Sequence, residues 1–256
     1  MKNSEEQKIL AIIPAAGRGT RLGLDTPKIL APINENETIW TILYELLAPY
    51  SNKIHVVLSP SGEPLFQTHL SRVDTSKTSV STSIQDEPLG MGDAIFGAYH
   101  FWRNYQTLLI IWGDQVNLSE QTIGQVVESC GKPKTIILPT TLMSPPYVQY
   151  DFVEARLADV RMKREGHVLD SVGKSDVGLF ALSVDGLYEC WNKFTEEKPL
   201  GEKTGEVNFL PFLPFLSNNF GWQVINLNVS DANEARGVNT AEDFEFAKRM
   251  RNSKGR

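Results

Sequence analysis

Residues 9–14 read Ile-Leu-Ala-Ile-Ile-Pro, an apolar run with no polar face. A half-exposed strand would alternate. This one suits burial on both sides, as in an inner strand of a parallel sheet covered by helices. Directly after it stand Ala15, Ala16, Gly17 and Gly19. Small side chains let the backbone approach a ligand closely, and glycine permits positive φ. A buried strand running straight into such a loop constrains the chain more than any other feature. It asks for an α/β sheet that presents its strand ends to a ligand.

The following residues keep that rhythm. Apolar side chains at 39, 40, 42, 43, 46 and 47 predict a helix within 37–50. A strand at 54–58, a weaker helix at 62–70 and a β-branched strand at 78–84 come next. Residues 92–102 read as a helix and 108–112 as a wholly apolar strand. A helix at 119–130 has Ser119 as its N-cap, and 135–138 is a further strand. Alternating strands and helices predict an α/β fold with a Rossmann-like, mostly parallel sheet flanked by helices.

The pattern changes after about residue 140. Segments 148–156 and 167–172 look extended and joined by the charged turn 163–166. A strand at 177–183, a helix at 185–194, a strand at 224–227 and a closing helix at 240–250, capped by Thr240, complete the expectation. The second half thus reads as a β insertion. The prolines of Phe-Leu-Pro-Phe-Leu-Pro-Phe-Leu argue against a regular helix after Phe209. Phe209, Phe212 and Phe215 are read as core, and the basic tail 251–256 is expected to fray.

Charge and composition exclude several classes. The chain carries 25 basic and 31 acidic side chains, a net charge of −6, which lacks the basic footprint of general nucleic-acid binding. No apolar run approaches the ~20 residues of a membrane span. The polar first eight residues do not resemble a secretory signal. Cys130 and Cys190 lie far apart without metal-ligand spacing, which suits a reducing compartment. The expectation is a cytoplasmic protein without nucleic-acid or membrane partners. A polyanionic ligand must then meet a local cluster of positive groups.

The loop after residue 14 offers one. Successive backbone N–H groups can form an anion nest, while Arg21 brings a planar fork of donors and Lys28 a compact charge behind the stiff Pro27. Three readings compete. One is a tight turn with two solvated cations. Another is a dinucleotide fingerprint, in which Gly17 and Gly19 fit but Leu22 takes the third glycine's place. Its acidic ribose ligand would be Glu37, at a helix start instead of a strand end. No Walker Gly-Lys-Ser/Thr follows.

The third reading is a resemblance. Gly17-Arg18-Gly19-Thr20-Arg21, five residues and then Pro27-Lys28 resemble the G-x-G-T-R-x5-P-K signature of sugar-1-phosphate nucleotidyltransferases, a family with a GT-A-like fold. Further stretches are similar to that family, and within it to the pyrophosphorylase domains of N-acetylglucosamine-1-phosphate uridylyltransferases. Gln85 to Ala94, QDEPLGMGDA, resembles the stretch where a glutamine and a glycine reach the base, which implies Gln85 and Gly90. Gly113-Asp114 closing an apolar strand is similar to the magnesium-binding Asp, and Gly237-Val238-Asn239 to the motif supplying a second metal ligand. On the sugar side the resemblance implies Asn208 in GEVNF, Asp176 and Gly178 where the family has Asn-x-Gly, Tyr147 on a covering loop, and Glu165 as the acidic ligand.

The resemblance implies one nucleotidyltransferase domain over 1–256, with a nucleotide-binding half at about 8–140 and a sugar-binding half at about 141–250. It implies a nucleoside triphosphate, UTP first, joined to a sugar-1-phosphate with Mg-dependent release of pyrophosphate. Ala15, Ala16, Gly17 and Gly19 would hold the triphosphate, with Arg21 and Lys28 as catalytic cations and Mg on Asp114 and Asn239. No β-helix repeat follows in this sequence, so the acetyl transfer of bifunctional relatives is not expected. The alternatives are cytidylyl or guanylyl transfer to another phosphorylated acceptor, and a nucleotide-binding module without catalysis. Oligomeric state is left open.

Overall fold

The computed structural model describes residues 7–17, 26–197 and 200–254. The first half contains β1 (Ile9–Pro14), α1 (Ile39–Leu47), β2 (Lys53–Leu58), α2 (Glu63–Leu70), β3 (Ser79–Ile84), α3 (Met91–Gly97), α4 (Tyr99–Trp102), β4 (Thr107–Ile111) and α5 (Glu120–Glu128). The second contains β5 (Thr135–Met143), β6 (Val148–Val153), β7 (Arg156–Met162), β8 (Gly173–Asp176), β9 (Leu179–Ser183), α6 (Leu187–Glu197), α7 (Phe212–Phe220), β10 (Gln223–Asn228) and α8 (Ala241–Lys254).

The main sheet runs β10-β5-β9-β4-β1-β2-β3, with β8 also pairing β5. Pairs β1–β2, β2–β3, β1–β4 and β5–β10 are parallel. The chain moves outward from β1 through β2 to β3, then crosses to β4 on β1's other side. That reversal is a switch point, and open α/β sheets bind ligands beyond the carboxyl ends of the strands at such a point, here β1 and β4. Along β1 the period of two decides which layer each residue serves. Ile9, Ala11 and Ile13 join the core under α1, α2, α5 and α8, while Leu10 and Ile12 join the core under α3, α4, α6 and α7.

Several expectations need correction. The predicted helix 92–102 is two helices, α3 and α4, interrupted at Ala98 after the helix-weakening Gly97. The partner of β6 in the hairpin is Arg156–Met162 instead of 167–172. Segment 167–172 is held by side chains: Arg161 Nη1 donates to the Val168 carbonyl at 2.9 Å, and Gln149 Oε1 accepts from Asp170 N at 2.9 Å. A regular helix does form over Phe212–Phe220, with Pro211 as its N-cap and Pro214 in its first turn. There the backbone N–H lacks an intrahelical acceptor anyway, so proline costs little. Phe209, Phe212 and Phe215 are buried, as expected. The closing helix runs on to Lys254, and Arg251 pairs with Glu37 instead of fraying. No described helix is long and apolar enough to cross a membrane.

Candidate active site

Lys28 opens a single 3₁₀ turn, Lys28–Leu30, entered through Pro27 at φ −51°. Ile29 is buried and anchors the turn. The Lys28 ammonium lies 2.7 Å from Asp114 Oδ2 and donates to Asn239 Oδ1 at 3.2 Å. Sequence separations of 86 and 211 residues are thus closed onto one nitrogen.

Asp114 follows β4, one residue after Gly113. A side chain at Gly113 would stand 3.2 Å from the Pro14 carbonyl, so glycine lets the β1 and β4 exits lie together. The Asp114 carbonyl accepts from Val238 N at 3.0 Å, which ties residues 237–239 to the β4 exit. A side chain at Gly237 would stand 2.9 Å from Asp114 Oδ1. Thr240 and Asp243 cap α8 reciprocally: Asp243 N donates to Thr240 Oγ1 at 3.2 Å, and Thr240 N to Asp243 Oδ2 at 2.9 Å. Thr240 therefore does the capping, and the Asn239 amide oxygen faces Lys28.

Of the loop residues, Ala15 N donates to the Val57 carbonyl at 2.8 Å, Ala16 is buried, and a side chain at Gly17 would meet nothing within 4 Å among the described residues. Gly19 and Arg21 lie outside the described residues. Glu37, the acid a dinucleotide site would need, accepts from Asn34 Nδ2 at 2.6 Å and pairs with Arg251. The arginine beside it holds its carboxyl below the usual range.

Gln85 and Gly90 meet directly, Gln85 Nε2 donating to the Gly90 carbonyl at 3.0 Å. Gly90 has φ +107°, and the place of its missing side chain is filled by Glu206 and Val207. The stretch 206–207 clips onto this loop, with Val207 N to the Leu89 carbonyl at 2.7 Å and Gly92 N to the Val207 carbonyl at 3.0 Å. The same Gln85 nitrogen donates to Asp93, a residue that motif comparison passed over.

The residues assigned to the sugar side form two groups. Asp176 Oδ1 accepts from Gly178 N at 2.8 Å and Oδ2 from the buried Tyr150 hydroxyl at 2.9 Å. Burial pushes the Asp176 carboxyl up, and the nearby Asp114 charge adds to it against those hydrogen bonds. Gly178 has φ +73°, and the Gln115 side chain packs against it, so that a methyl group there would stand 2.4 Å from Gln115 Cγ. Gln115 is 4% exposed, and its Oε1 has no partner among the described residues. Nothing in the motif comparison marked it.

Glu165 is buried in the second group. Its Oε1 accepts from Thr204 Oγ1 at 2.6 Å and Asn208 Nδ2 at 3.0 Å, and its Oε2 from Lys203 N at 3.0 Å and Thr204 N at 3.4 Å. Burial raises its pKa, but these donors outweigh burial and bring it down to about 2. Arg164 bridges the Asn208 oxygen and Glu206. Glu165 and Asn208 edge a cavity of about 380 Å³ with an apolar floor of Met162, Phe194 and Phe215 and two further acids, Asp159 and Glu202. Lys28, Asp114 and Asn239 do not line this cavity. Tyr147 is exposed, its carbonyl accepting from Lys163 N at 3.1 Å.

Comparison with known proteins bears on the fold and the family. Over 243 residues the chain is 26% identical to the bifunctional protein GlmU of Zymomonas mobilis, covering 91% of this chain and 51% of that protein. The chain spans about half the length of the curated relatives it matches. Its fold matches a UDP-glucose pyrophosphorylase complexed with UDP-glucose at a TM-score of 0.72 and 17% identity, over 97% of this chain and all of the other. It also matches the 4-diphosphocytidyl-2C-methyl-D-erythritol synthase of Anaerococcus prevotii at 0.65 and 16% identity, over 96% of each chain. Residues 11–172, well over half of the chain, match the MobA-like NTP transferase domain, and the chain belongs to that nucleotidyltransferase family.

Proposed function

We propose that this chain joins a nucleoside triphosphate, UTP first, to a sugar-1-phosphate and releases pyrophosphate. The observation that carries the reading is the convergence of Lys28, Asp114 and Asn239 beyond the carboxyl ends of β1 and β4. A phosphate oxygen of the sugar-1-phosphate attacks the α-phosphorus, a new P–O bond forms, and the bond to the β-phosphate oxygen breaks. The attacking oxygen is already anionic, so no side chain need remove a proton. The protein's task is to hold two polyanions together and stabilise the charge that develops. Lys28, on its rigid turn, turns from Asp114 toward phosphate. Ala15, Ala16 and Gly17, with Gly19 and Arg21, hold the triphosphate. Gln85 meets the base beside Gly90, and Asp176, Gly178 and Tyr147 face the sugar, with Asn208 and Glu165 framing that side.

Asp114 and Asn239 suit Mg²⁺. Their oxygens converge on one cationic nitrogen, they are hard donors, and among the described residues no cluster of three acidic, His or Cys ligands offers a closed cage. Magnesium often takes only one or two protein oxygens and shares the rest with substrate phosphates. Bound there, it supplies positive charge against the reacting phosphates.

The test is pyrophosphate release with Mg²⁺, crossing the four nucleoside triphosphates with glucose-, N-acetylglucosamine- and mannose-1-phosphate. Turnover with UTP and one sugar is expected. Turnover with CTP or GTP and another phosphorylated acceptor would install the alternative reading, and triphosphate binding without any turnover would leave a binding module.

A further inference from the structure

Asp93 stands in the first turn of α3, where the positive end of a helix favours a carboxylate. Its Oδ2 accepts from Gln85 Nε2 at 2.7 Å, and the Gly90 carbonyl accepts from the same nitrogen at 3.0 Å. Both partners are acceptors with no hydrogen to return. Amide groups often invite a half-turn that exchanges oxygen and nitrogen. Here the half-turn would set the Gln85 carbonyl against two oxygens, one of them on a carboxylate, so the orientation is locked. A primary amide has two N–H donors, and both are taken. The Gln85 backbone is pinned as well, its N–H donating to the Leu58 carbonyl at 2.8 Å. What this partly exposed side chain can still offer a ligand is one carbonyl oxygen, an acceptor.

We propose that Asp93 is the positioning residue that sets base choice: by locking Gln85 carbonyl-outward it selects triphosphates whose base carries a ring N–H on its pairing edge. Uracil, thymine and guanine have that N–H, whereas cytosine and adenine present a ring nitrogen lone pair beside their amino group, and a carbonyl fixed opposite that lone pair is repelled. The inference rests on the proposed reading that Gln85 meets the base. It adds a cause for selectivity that the glutamine alone lacks, since a free amide turns to suit either edge.

The experiment is calorimetric titration of UTP and CTP, with Mg²⁺, into the full chain and its Asp93→Ala, Asp93→Asn and Gln85→Ala variants, each checked for folding by circular dichroism. Binding needs no acceptor, so the result does not depend on which sugar is used. The wild type should prefer UTP. Asp93→Ala should shrink the UTP/CTP affinity ratio about tenfold, the scale of one hydrogen bond made or opposed. Asp93→Asn should keep the ratio, because its amide oxygen can still accept. Asp93→Ser replaces the alanine variant if that one does not fold. An unchanged ratio in Asp93→Ala alongside a collapsed ratio in Gln85→Ala would overturn the proposal and leave the base contact standing. An unchanged ratio in Gln85→Ala would remove the base contact and the proposal with it, as would a wild type that prefers CTP.

Discussion

Asp114 and Glu165 are both acidic side chains with little exposure, one in each half of the chain, and they differ in what holds them. Asp114 faces the end of one long lysine side chain, at the mouth of the sheet. Glu165 accepts from two backbone N–H groups, a threonine hydroxyl and an asparagine amide, all close to it. An ionised carboxylate has about four lone-pair sites. Those of Glu165 are filled by fixed groups, and exchanging them would release the loop that contains Lys203 and Thr204. On the proposed reading Asp114 exchanges Lys28 for another cation, and its carboxylate holds no loop in place as that of Glu165 does. The number and stiffness of a carboxylate's partners thus separate frame from working group better than burial does.

The strongest way to break this contrast is to truncate the working side. Lys28→Ala and Asp114→Ala should each lower turnover by about 10²–10³. Both variants should keep the parent's fold by circular dichroism, because the pair stands at the mouth of the sheet, where the charge left behind can meet solvent or a counter-ion. Near-normal turnover in both, measured by pyrophosphate release, would remove Lys28 and Asp114 from the chemistry.

Glu165→Gln should behave in the opposite way, losing stability. The Glu165 carboxyl is held at about 2 against an ordinary 4.5. The stabilisation is complete above pH ~4.5 and is lost as pH falls toward 2, with a size of roughly 3 kcal/mol from the linkage between pKa and folding. Urea titrations at pH 7 and pH 3 would show it. The variant should be less stable than the parent at pH 7, and the gap should narrow at pH 3. A pH-independent gap would mean that the charge on Glu165 does not matter.

This contrast also marks what a sequence can disclose. β1 is legible because burial on both faces leaves an unbroken apolar string. Asp114 and Asn239 are legible as motif residues just beyond a predicted strand and just before a predicted helix, and Lys28 as the end of the motif that opens in the loop after β1. β7 is obscured because Arg156, Asp159 and Arg161 interrupt its apolar positions, and a register shift between Asp151 and Phe152 breaks the alternation in its partner. Valines 168 and 172 then attract the strand assignment that belongs to Arg156–Met162. Asp93 and Gln115 are silent for a different reason: their importance lies in which atom of an amide faces which neighbour, a tertiary fact. The hydrogen-bond donors to Glu165 come from residues 38 to 43 positions away and are equally invisible in advance.

A smaller effect probes the seam between the halves. Gly178→Ala sets a methyl group 2.4 Å from Gln115 Cγ at a residue with φ +73°. Overpacking and left-handed strain together should cost about 2 kcal/mol. Shortening the opposing side chain, in Gly178→Ala/Gln115→Ala, should recover the steric part and leave the backbone part. A double variant no more stable than Gly178→Ala would show that backbone strain alone sets the penalty.

The smallest effect has the most informative sign. Burial raises the Asp176 carboxyl, so its charged form is disfavoured in the folded chain, opposite to Glu165. A raised carboxyl contributes stability that is present below its ordinary value of 3.8 and is lost as pH rises through the folded value. Asparagine at this position matches the shape, accepts from Gly178 N through its oxygen, and donates from its nitrogen to the Tyr150 hydroxyl oxygen once that hydroxyl rotates. Asp176→Asn should therefore be as stable as the parent at pH 4 and up to ~1 kcal/mol more stable at pH 8, since neutralising a buried group relieves its desolvation. Denaturation midpoints at the two pH values would decide it. A variant less stable than the parent at pH 8 would mean that the Asp176 charge is stabilised in place, and the frame of the second half would then hold two ionised carboxylates instead of one.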